Sequence, residues 1–406
     1  MSDPLDDQRQ VRTIAVLGAG TMGAGIVQVA AEAGFEVLVH DPVPGAAERG
    51  RDRVAGYLRR KVEKGQLPPG ADVEAVHRIR EVASVDALAA ADLVIEAAPE
   101  DLDLKRDVFS RLDAAAPSAT LLATNTSSLS VARIAAAARR PERVVGMHFF
   151  NPVPLMALVE VVAGPMTAAW AIDRVVLTGR RLGKTPVVAA DTPGFIVNRV
   201  QRAYYLEAFR IHEEGLASVE AIDAAMRGIG FRLGPFELAD VVGTDVNLAA
   251  GTQIFEGFFG DPRYRPAQVQ RRVADAGRLG RKASAGYYDY ADDGTRGAPW
   301  AALQRPIRLP QLQPAQIEAR VLAAIVNEAA SAVADAVAEP EAIDTAMRLA
   351  SNWPDGPLAW GERIGLSSVV HTLDALHATV PDGRYRVAPL LRHLASDGGS
   401  FFATPA

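Results

Sequence analysis

The sequence predicts an α/β chain, a doubly wound sheet followed by two all-α C-terminal domains, and three observations carry that expectation. Short apolar runs alternate with longer helical patterns from Thr13 to about Val188. A glycine-rich turn joins the first apolar run to the first helical pattern, and beyond Asp191 the strand-like runs give way to amphipathic stretches that partly repeat. Strands alternating with helices are the βαβ rhythm of a parallel sheet covered on both faces.

Taken in order, the expected strands are Thr13–Leu17, Glu36–His40, Leu93–Glu96, Thr120–Thr124, Arg143–His148, Leu158–Val162 and Thr185–Val188, all within a first domain at residues 12–190. Val197–Glu214 and Ser218–Arg227 read as helices of a second domain, 191–290, with no strands. Residues 291–311, rich in Pro, Gly, Asp and Arg, read as a linker to a third domain, 312–406. There Glu341-Ala342-Ile343-Asp344-Thr345-Ala346-Met347-Arg348 echoes Glu220-Ala221-Ile222-Asp223-Ala224-Ala225-Met226-Arg227 at an offset of 121 residues. Gly356-Pro357-Leu358 echoes Gly234-Pro235-Phe236 at 122, so a duplicated helical domain with one inserted residue is expected.

Composition narrows the function. A formal charge of −6 argues against a general binder of nucleic acid or anionic membrane. The absence of cysteine rules out disulfides and thiolate chemistry, and no histidines stand at the spacing of HExxH, so no metal is expected. The acidic opening MSDPLDDQRQ lacks the basic start and apolar run of a secretory leader, and no segment reaches 18 uninterrupted apolar residues; a cytoplasmic protein is expected.

The glycine-rich turn is Gly18-Ala19-Gly20-Thr21-Met22-Gly23, set between the strand Ile14-Ala15-Val16-Leu17 and the apolar helix Ala24–Ala33. In that context GxGxxG is the dinucleotide fingerprint of a Rossmann-type sheet: a tight turn at Gly18, close approach to a pyrophosphate at Gly20, helix–strand packing at Gly23. Asp41 stands 23 residues beyond Gly18, where a carboxylate accepts ribose hydroxyls and repels a 2′-phosphate. NAD is therefore expected rather than NADP, although an Asp before Pro42 also initiates turns.

His148 ends the strand that begins at Arg143, at the carboxyl edge of the sheet where ligands bind. Twelve residues on, Glu160 interrupts the run Leu158-Val159-Glu160-Val161-Val162, and an in-strand carboxylate needs a partner. His148 is the expected one: the pair would fix the imidazole tautomer and stabilise the imidazolium formed when His148 takes a hydroxyl proton. The other six histidines read as surface or structural. After the strand Thr120–Thr124 comes Asn125-Thr126-Ser127-Ser128, where Ser127 and Ser128 supply one hydroxyl for a helix cap and one for substrate.

His148-Phe149-Phe150-Asn151-Pro152-Val153-Pro154, Asn125-Thr126-Ser127-Ser128-Leu129, Asp191-Thr192-Pro193-Gly194-Phe195-Ile196-Val197-Asn198-Arg199 and Gly280-Arg281-Lys282-Ala283-Ser284-Ala285-Gly286-Tyr287-Tyr288 resemble the 3-hydroxyacyl-CoA dehydrogenase family over about residues 12–290. The resemblance implies that His148 and Glu160 are catalytic, that Ser127 holds the reacting oxygen and that the Asn198 amide orients it. It puts Glu100 and Lys105, which alone read as a solvated pair at a helix start, beside the nicotinamide end of NAD, with Asn125 in the cofactor set beside Gly18, Gly20, Thr21, Met22, Gly23 and Asp41. Lys64, in the basic stretch Arg59-Arg60-Lys61-Val62-Glu63-Lys64, matches a lysine used near coenzyme A; the alternative is a solvated helix face.

The implied reaction is reversible oxidation of a (3S)-3-hydroxyacyl-CoA to the 3-oxoacyl-CoA in β-oxidation-type catabolism, with 3-hydroxybutyryl-CoA or the 3-hydroxyadipyl-CoA of phenylacetate breakdown as substrate. The segment Gly260-Asp261-Pro262-Arg263-Tyr264-Arg265-Pro266 and the arginines after it resemble the adipyl forms, since an arginine suits a second carboxylate. No hydratase domain precedes the nucleotide-binding segment, so a separate enoyl-CoA hydratase and thiolase are expected to flank the reaction. The third domain has Ala319 where Asn198 would repeat, and reads as non-catalytic. By the resemblance it packs on 191–290 as an intrachain pseudo-dimer, in addition to or in place of a homodimer. Two other readings stand: a dehydrogenase of free hydroxy or sugar acids, and a non-catalytic nucleotide-binding protein on the same scaffold.

Overall fold

The computed structural model describes residues 10–305 and 309–403, so most of the opening stretch read for a leader and three residues of the expected linker lie outside the described residues. It divides into two compact units, 1–192 and 193–406. Among the described residues no helix is long and apolar enough to cross a membrane.

The first unit runs β1 (Thr13–Leu17), α1 (Thr21–Glu32), β2 (Glu36–His40), α2 (Ala46–Glu63), α3 (Ala71–His77), β3 (Ile79–Glu81), β4 (Leu93–Glu96), α4 (Leu102–Ala115), β5 (Leu121–Thr124), α5 (Val131–Ala135), β6 (Val144–Phe149), β7 (Leu158–Ala163), α6 (Ala169–Arg181) and β8 (Thr185–Ala190). Its sheet has the order β3-β2-β1-β4-β5-β6-β7-β8. The centre is apolar on both faces: Ile14, Val16, Leu93, Ile95, Leu121 and Ala123 are wholly buried, as helices on either side require. The order reverses at β1 and β4, and the crevice at such a switch point is where ligands bind.

Two features depart from expectation. β3, a three-residue strand with two exposed positions, lacked an apolar run to announce it. More consequentially, β7 runs antiparallel to β6 and parallel to β8, so the last two strands reverse the sheet's direction. The connection between β6 and β7 holds no helix, and a parallel crossover needs about a dozen residues or more. Its shortness was the available signal.

The second unit contains α7 (Val197–Glu213), α8 (Val219–Gly228), α9 (Pro235–Val242), α10 (Thr244–Gly257), α11 (Gln268–Asp275), β9 (Tyr288–Tyr290), β10 (Arg296–Pro299), α12 (Pro314–Ala334), α13 (Pro340–Ser351), α14 (Pro357–Ile364), α15 (Leu366–Thr379) and α16 (Pro389–Asp397). It is not free of strands: β9 and β10 form a small antiparallel hairpin, and β10 lies inside the stretch expected to be linker.

The repeated motif has a physical explanation. Asp223 of α8 accepts the amides of Phe236 and Glu237 (2.9 and 3.1 Å), and Asp344 of α13 accepts those of Leu358 and Ala359 (2.8 and 3.0 Å). Each aspartate thereby caps the next Pro-initiated helix, α9 or α14, whose N-cap residue is a glycine with no side chain to do so. Glycine is required there, since a Cβ at Gly234 or Gly356 would lie 2.3 or 2.1 Å from the capping aspartate.

Contacts between the halves are reciprocal. Arg199 Nε of α7 donates to Glu328 Oε1 of α12 at 2.7 Å, and Arg320 of α12 donates to Glu207 of α7. The hydroxyls of Tyr264 and Tyr385 join Glu328 and Glu207 (2.6 and 2.9 Å). Arg199 also meets Asp335 at 2.6 Å and Arg320 meets Glu214 at 2.8 Å. Every member of one set stands 121 residues from its twin, the pattern of an isologous interface.

Asp344→Ala is expected to lower stability by about 1–3 kcal/mol, because two amides at the start of α14 lose their acceptor, with Asp344→Asn losing less. Urea denaturation measures this, and an unchanged midpoint for both variants would contradict the capping role.

Candidate active site

The glycine turn has the geometry its sequence promised. Gly18 takes φ +99°, and a Cβ there would press to 2.7 Å from the Ala97 carbonyl oxygen at the end of β4; a Cβ on Gly23 would lie 1.9 Å from Gly18 O. A Cβ on Gly20 would meet nothing within 4 Å, so that glycine faces the open space a pyrophosphate needs at the start of α1, where Thr21 and Met22 form the first turn. Asp41 initiates the turn before Pro42 and also reaches the glycine turn. One oxygen accepts the Val43 amide at 2.9 Å, an Asx turn, and the other accepts the Ala19 amide at 2.7 Å, pinning the glycine turn. A cleft of about 580 Å³ opens beside them, lined by Gly20, Asp41, Val43, Arg49 and Arg53. These residues fit a dinucleotide whose adenosine end lies against Asp41.

At the other end of the sheet, the antiparallel register places His148 of β6 directly opposite Glu160 of β7. Their Cβ atoms are near neighbours in such a pair, and His148 Nδ1 bonds Glu160 Oε2 at 2.6 Å. Glu160 is fully buried and the His148 side chain is 7% exposed. With Nδ1–H committed to the carboxylate, Nε2 is the basic nitrogen of the ring. Phe150 packs on the imidazole with ring centroids 4.4 Å apart. Asn125 Oδ1 accepts the Phe149 amide at 2.8 Å, tying the end of β5 to the end of β6.

The reading of Glu100 and Lys105 as a solvated pair is corrected for Lys105, while Glu100 keeps access to solvent. Lys105 is 1% exposed and bridges Glu96 (2.6 Å) and Glu100 (3.4 Å). Glu96 in turn accepts from Thr124 Oγ1 at 2.7 Å and from the Ala98 amide at 2.6 Å. Glu100 Oε1 gathers Thr126 Oγ1 (2.5 Å), the amides of Ser127 and Ser128 (3.0 and 3.2 Å) and Ser128 Oγ (2.9 Å). Burial pushes the Glu100 carboxyl up, but the Lys105 ammonium and these donors outweigh it and hold it below the usual carboxylate range. Glu100 therefore shapes the 126–128 turn, holding the Ser128 hydroxyl and the amides of Ser127 and Ser128.

The helix cap expected of Ser127 or Ser128 comes from elsewhere. Ser130 caps α5, accepting the Arg133 amide at 3.3 Å, and Asp191 accepts Ser130 Oγ and the amides of Val131 and Ala132. Glu96 was missed by sequence reasoning, yet it carried the signal that exposed Glu160, a carboxylate in an apolar strand.

Lys64 sits at the C-cap of α2 and lines a cleft of about 480 Å³ with Tyr57, Arg60, Lys61 and, from the β6–β7 connection, Val153, Pro154 and Leu155. Lys184 pins that connection through the carbonyls of Val153 and Met156. In the second unit Asn198 is the second residue of α7. Of the arginines considered for a second carboxylate, Arg263 pairs with Asp261 and Glu328, Arg265 with Asp382 and Arg278 with Asp289, while Arg271, Arg272 and Arg281 are exposed.

Comparison with known proteins agrees with this geometry. Residues 13–192 match the family model "3-hydroxyacyl-CoA dehydrogenase, NAD binding domain", and the model "3-hydroxyacyl-CoA dehydrogenase, C-terminal domain" matches twice, at 194–290 and 317–400. The chain is 38% identical to the 3-hydroxyadipyl-CoA dehydrogenase of Escherichia coli K12, over 95% of this chain and 98% of that one. It is 42% identical to a probable 3-hydroxybutyryl-CoA dehydrogenase of Bacillus subtilis 168, over 70% of this chain and 99% of the relative. The crystal structure of a 3-hydroxybutyryl-CoA dehydrogenase from Escherichia coli K12 superposes with a TM-score of 0.88 at 38% identity, covering 95% and 98% of the two chains. A dinucleotide fingerprint, a buried His–Glu couple and family models spanning nearly the whole chain lead to one conclusion: the chain belongs to the 3-hydroxyacyl-CoA dehydrogenase family and is an NAD-dependent oxidoreductase.

Proposed function

We propose that this enzyme oxidises (3S)-3-hydroxyacyl-CoA esters with His148 as general base, and the observation that carries the proposal is the buried 2.6 Å bond between His148 Nδ1 and Glu160. NAD, when bound, accepts the hydride that leaves C3 of the substrate. His148 Nε2 takes the proton of the 3-hydroxyl, so that C3 and its oxygen become the carbonyl of the 3-oxoacyl-CoA. Glu160 faces the imidazolium so formed and stabilises it, and its hydrogen bond holds the ring in the tautomer that leaves Nε2 basic. Ser127 hydrogen-bonds the reacting oxygen, and the Asn198 amide orients the same group. Gly18, Gly20, Thr21, Met22, Gly23 and Asp41 hold the pyrophosphate and adenosine, with Asn125, Glu100 and Lys105 toward the nicotinamide; Lys105 acts there through Glu100, being itself enclosed.

Lys64 and the basic side of its cleft serve the phosphates of coenzyme A. The substrate we favour is a dicarboxyl one, 3-hydroxyadipyl-CoA. Its support is the full-length similarity to a relative of that name, Arg263 and Arg278 being spent on internal pairs. The product then passes to a thiolase and the substrate comes from an enoyl-CoA hydratase, both separate, in the cytoplasm. We further propose that residues 312–406 act as the pseudo-twofold partner of 191–290, which the reciprocal Arg–Glu pairs support.

His148→Gln is expected to keep NADH affinity, read by fluorescence titration, while kcat falls by roughly 10²–10⁴; near-normal turnover would remove the mechanism. Lys64→Ala is expected to raise KM for acyl-CoA several-fold with KM for NAD unmoved, and equal KM values for acyl-CoA in both proteins would defeat its role. In a reverse assay the kcat/KM for 3-oxoadipyl-CoA should exceed that for acetoacetyl-CoA by about tenfold, equivalent to about 1.4 kcal/mol. A ratio of one or below would reject the dicarboxyl preference.

A further inference from the structure

Asn198 stands in the first turn of α7, where Ile196 holds the N-cap position. Before it come Gly194 at φ +79° and Phe195 at φ +50°, two successive left-handed residues, the second of a type that rarely adopts that conformation. A Cβ on Gly194 would lie 2.9 Å from the Arg199 amide nitrogen, so the lead-in folds tightly over this turn.

Arg199, the residue after Asn198, anchors this turn to the other half of the unit. It is fully buried, its guanidinium 4.9 Å above the Phe258 ring, with Nε on Glu328 Oε1 at 2.7 Å and Nη2 on Asp335 Oδ2 at 2.6 Å. Glu328 is itself fixed by Tyr264 Oη at 2.6 Å and faces Arg263 at 3.4 Å. Both carboxylates belong to the half of the unit whose own counterpart of Asn198 is Ala319.

We propose that Glu328 and Asp335 are positioning residues for Asn198: the half without the asparagine clamps the arginine beside it, and so sets the angle at which the amide is presented. This rests on the reading of Asn198 as a group that contacts the reacting oxygen. A buried guanidinium held by two carboxylates has little freedom to shift, and displacement of a substrate-orienting group by about 1 Å costs on the order of a hundredfold in rate.

The reciprocal pairs supply the control. Arg320 is held by Glu207 and Glu214 as Arg199 is held by Glu328 and Asp335, but its neighbour is Ala319. Glu328→Gln and Asp335→Ala, the latter at a half-exposed side chain tolerant of change, should each lower kcat about tenfold or more with KM for NAD unmoved. The twins Glu207→Gln and Glu214→Ala should lose as much thermal stability yet keep kcat within about twofold, and Asp335→Glu should recover turnover. Equal losses of kcat in both sets, or none in Glu328→Gln and Asp335→Ala, would overturn the proposal. Asn198→Ala separates the two claims: if it turns over normally, the reading of Asn198 fails first; if it is slow while Glu328→Gln and Asp335→Ala are not, only the positioning role fails.

Discussion

Glu160 sits in the middle of a strand with no access to solvent, and a carboxylate there is tolerable only with a hydrogen-bonding partner at close range. His148 is that partner, and much of the first unit follows from bringing the two together. The antiparallel register of β7 on β6 sets the two side chains directly opposite each other, at the point where the sheet reverses direction. Reversal allows a short connection, and that connection is secured by Lys184 on its carbonyls and by Asn125 on the Phe149 amide just before it. The His148–Glu160 bond thus joins the two strands at which the sheet changes direction.

A second ion network ties strand ends together as the His148–Glu160 couple does. Glu96 and Glu100 share Lys105, and because Lys105 is enclosed, its charge acts on the two carboxylates with little screening. One of them reaches back to Thr124 at the end of β5, and the other draws together the hydroxyls and amides of the turn that follows. Strand end and turn are consequently one rigid piece.

The strands and the His148–Glu160 couple were legible because each is a local anomaly or a local rhythm: apolar runs bounded by turns, a charge where none belongs. The glycine turn was legible because its steric demand is written residue by residue. The direction of β7 was not, since an apolar run reads alike whichever way it points. The hairpin of β9 and β10 hid because a three-residue Tyr-Asp-Tyr strand carries no period. Burial of Lys105 also escaped, for a helix-start lysine is solvated unless tertiary structure closes over it. Arg263 and Arg265 looked available for a ligand because Glu328 and Asp382, which pair with them, lie far off in sequence. The repeat was visible as similar letters, while its reason, one aspartate capping the next helix across a glycine, needed coordinates.

Fusing two interlocking halves into one chain also changes what a substitution can do. In a symmetric pair of identical subunits each interface residue is encoded once and felt twice, so a change that suits one side is imposed on the other. Here the twin positions are free to differ, and they do: Arg210 bonds Glu207 and the carbonyls of Pro262 and Arg263, whereas its counterpart Ser331 receives a hydrogen bond from Arg263. One copy can change while the other stays as it is, a freedom that two identical chains sharing this interface do not have.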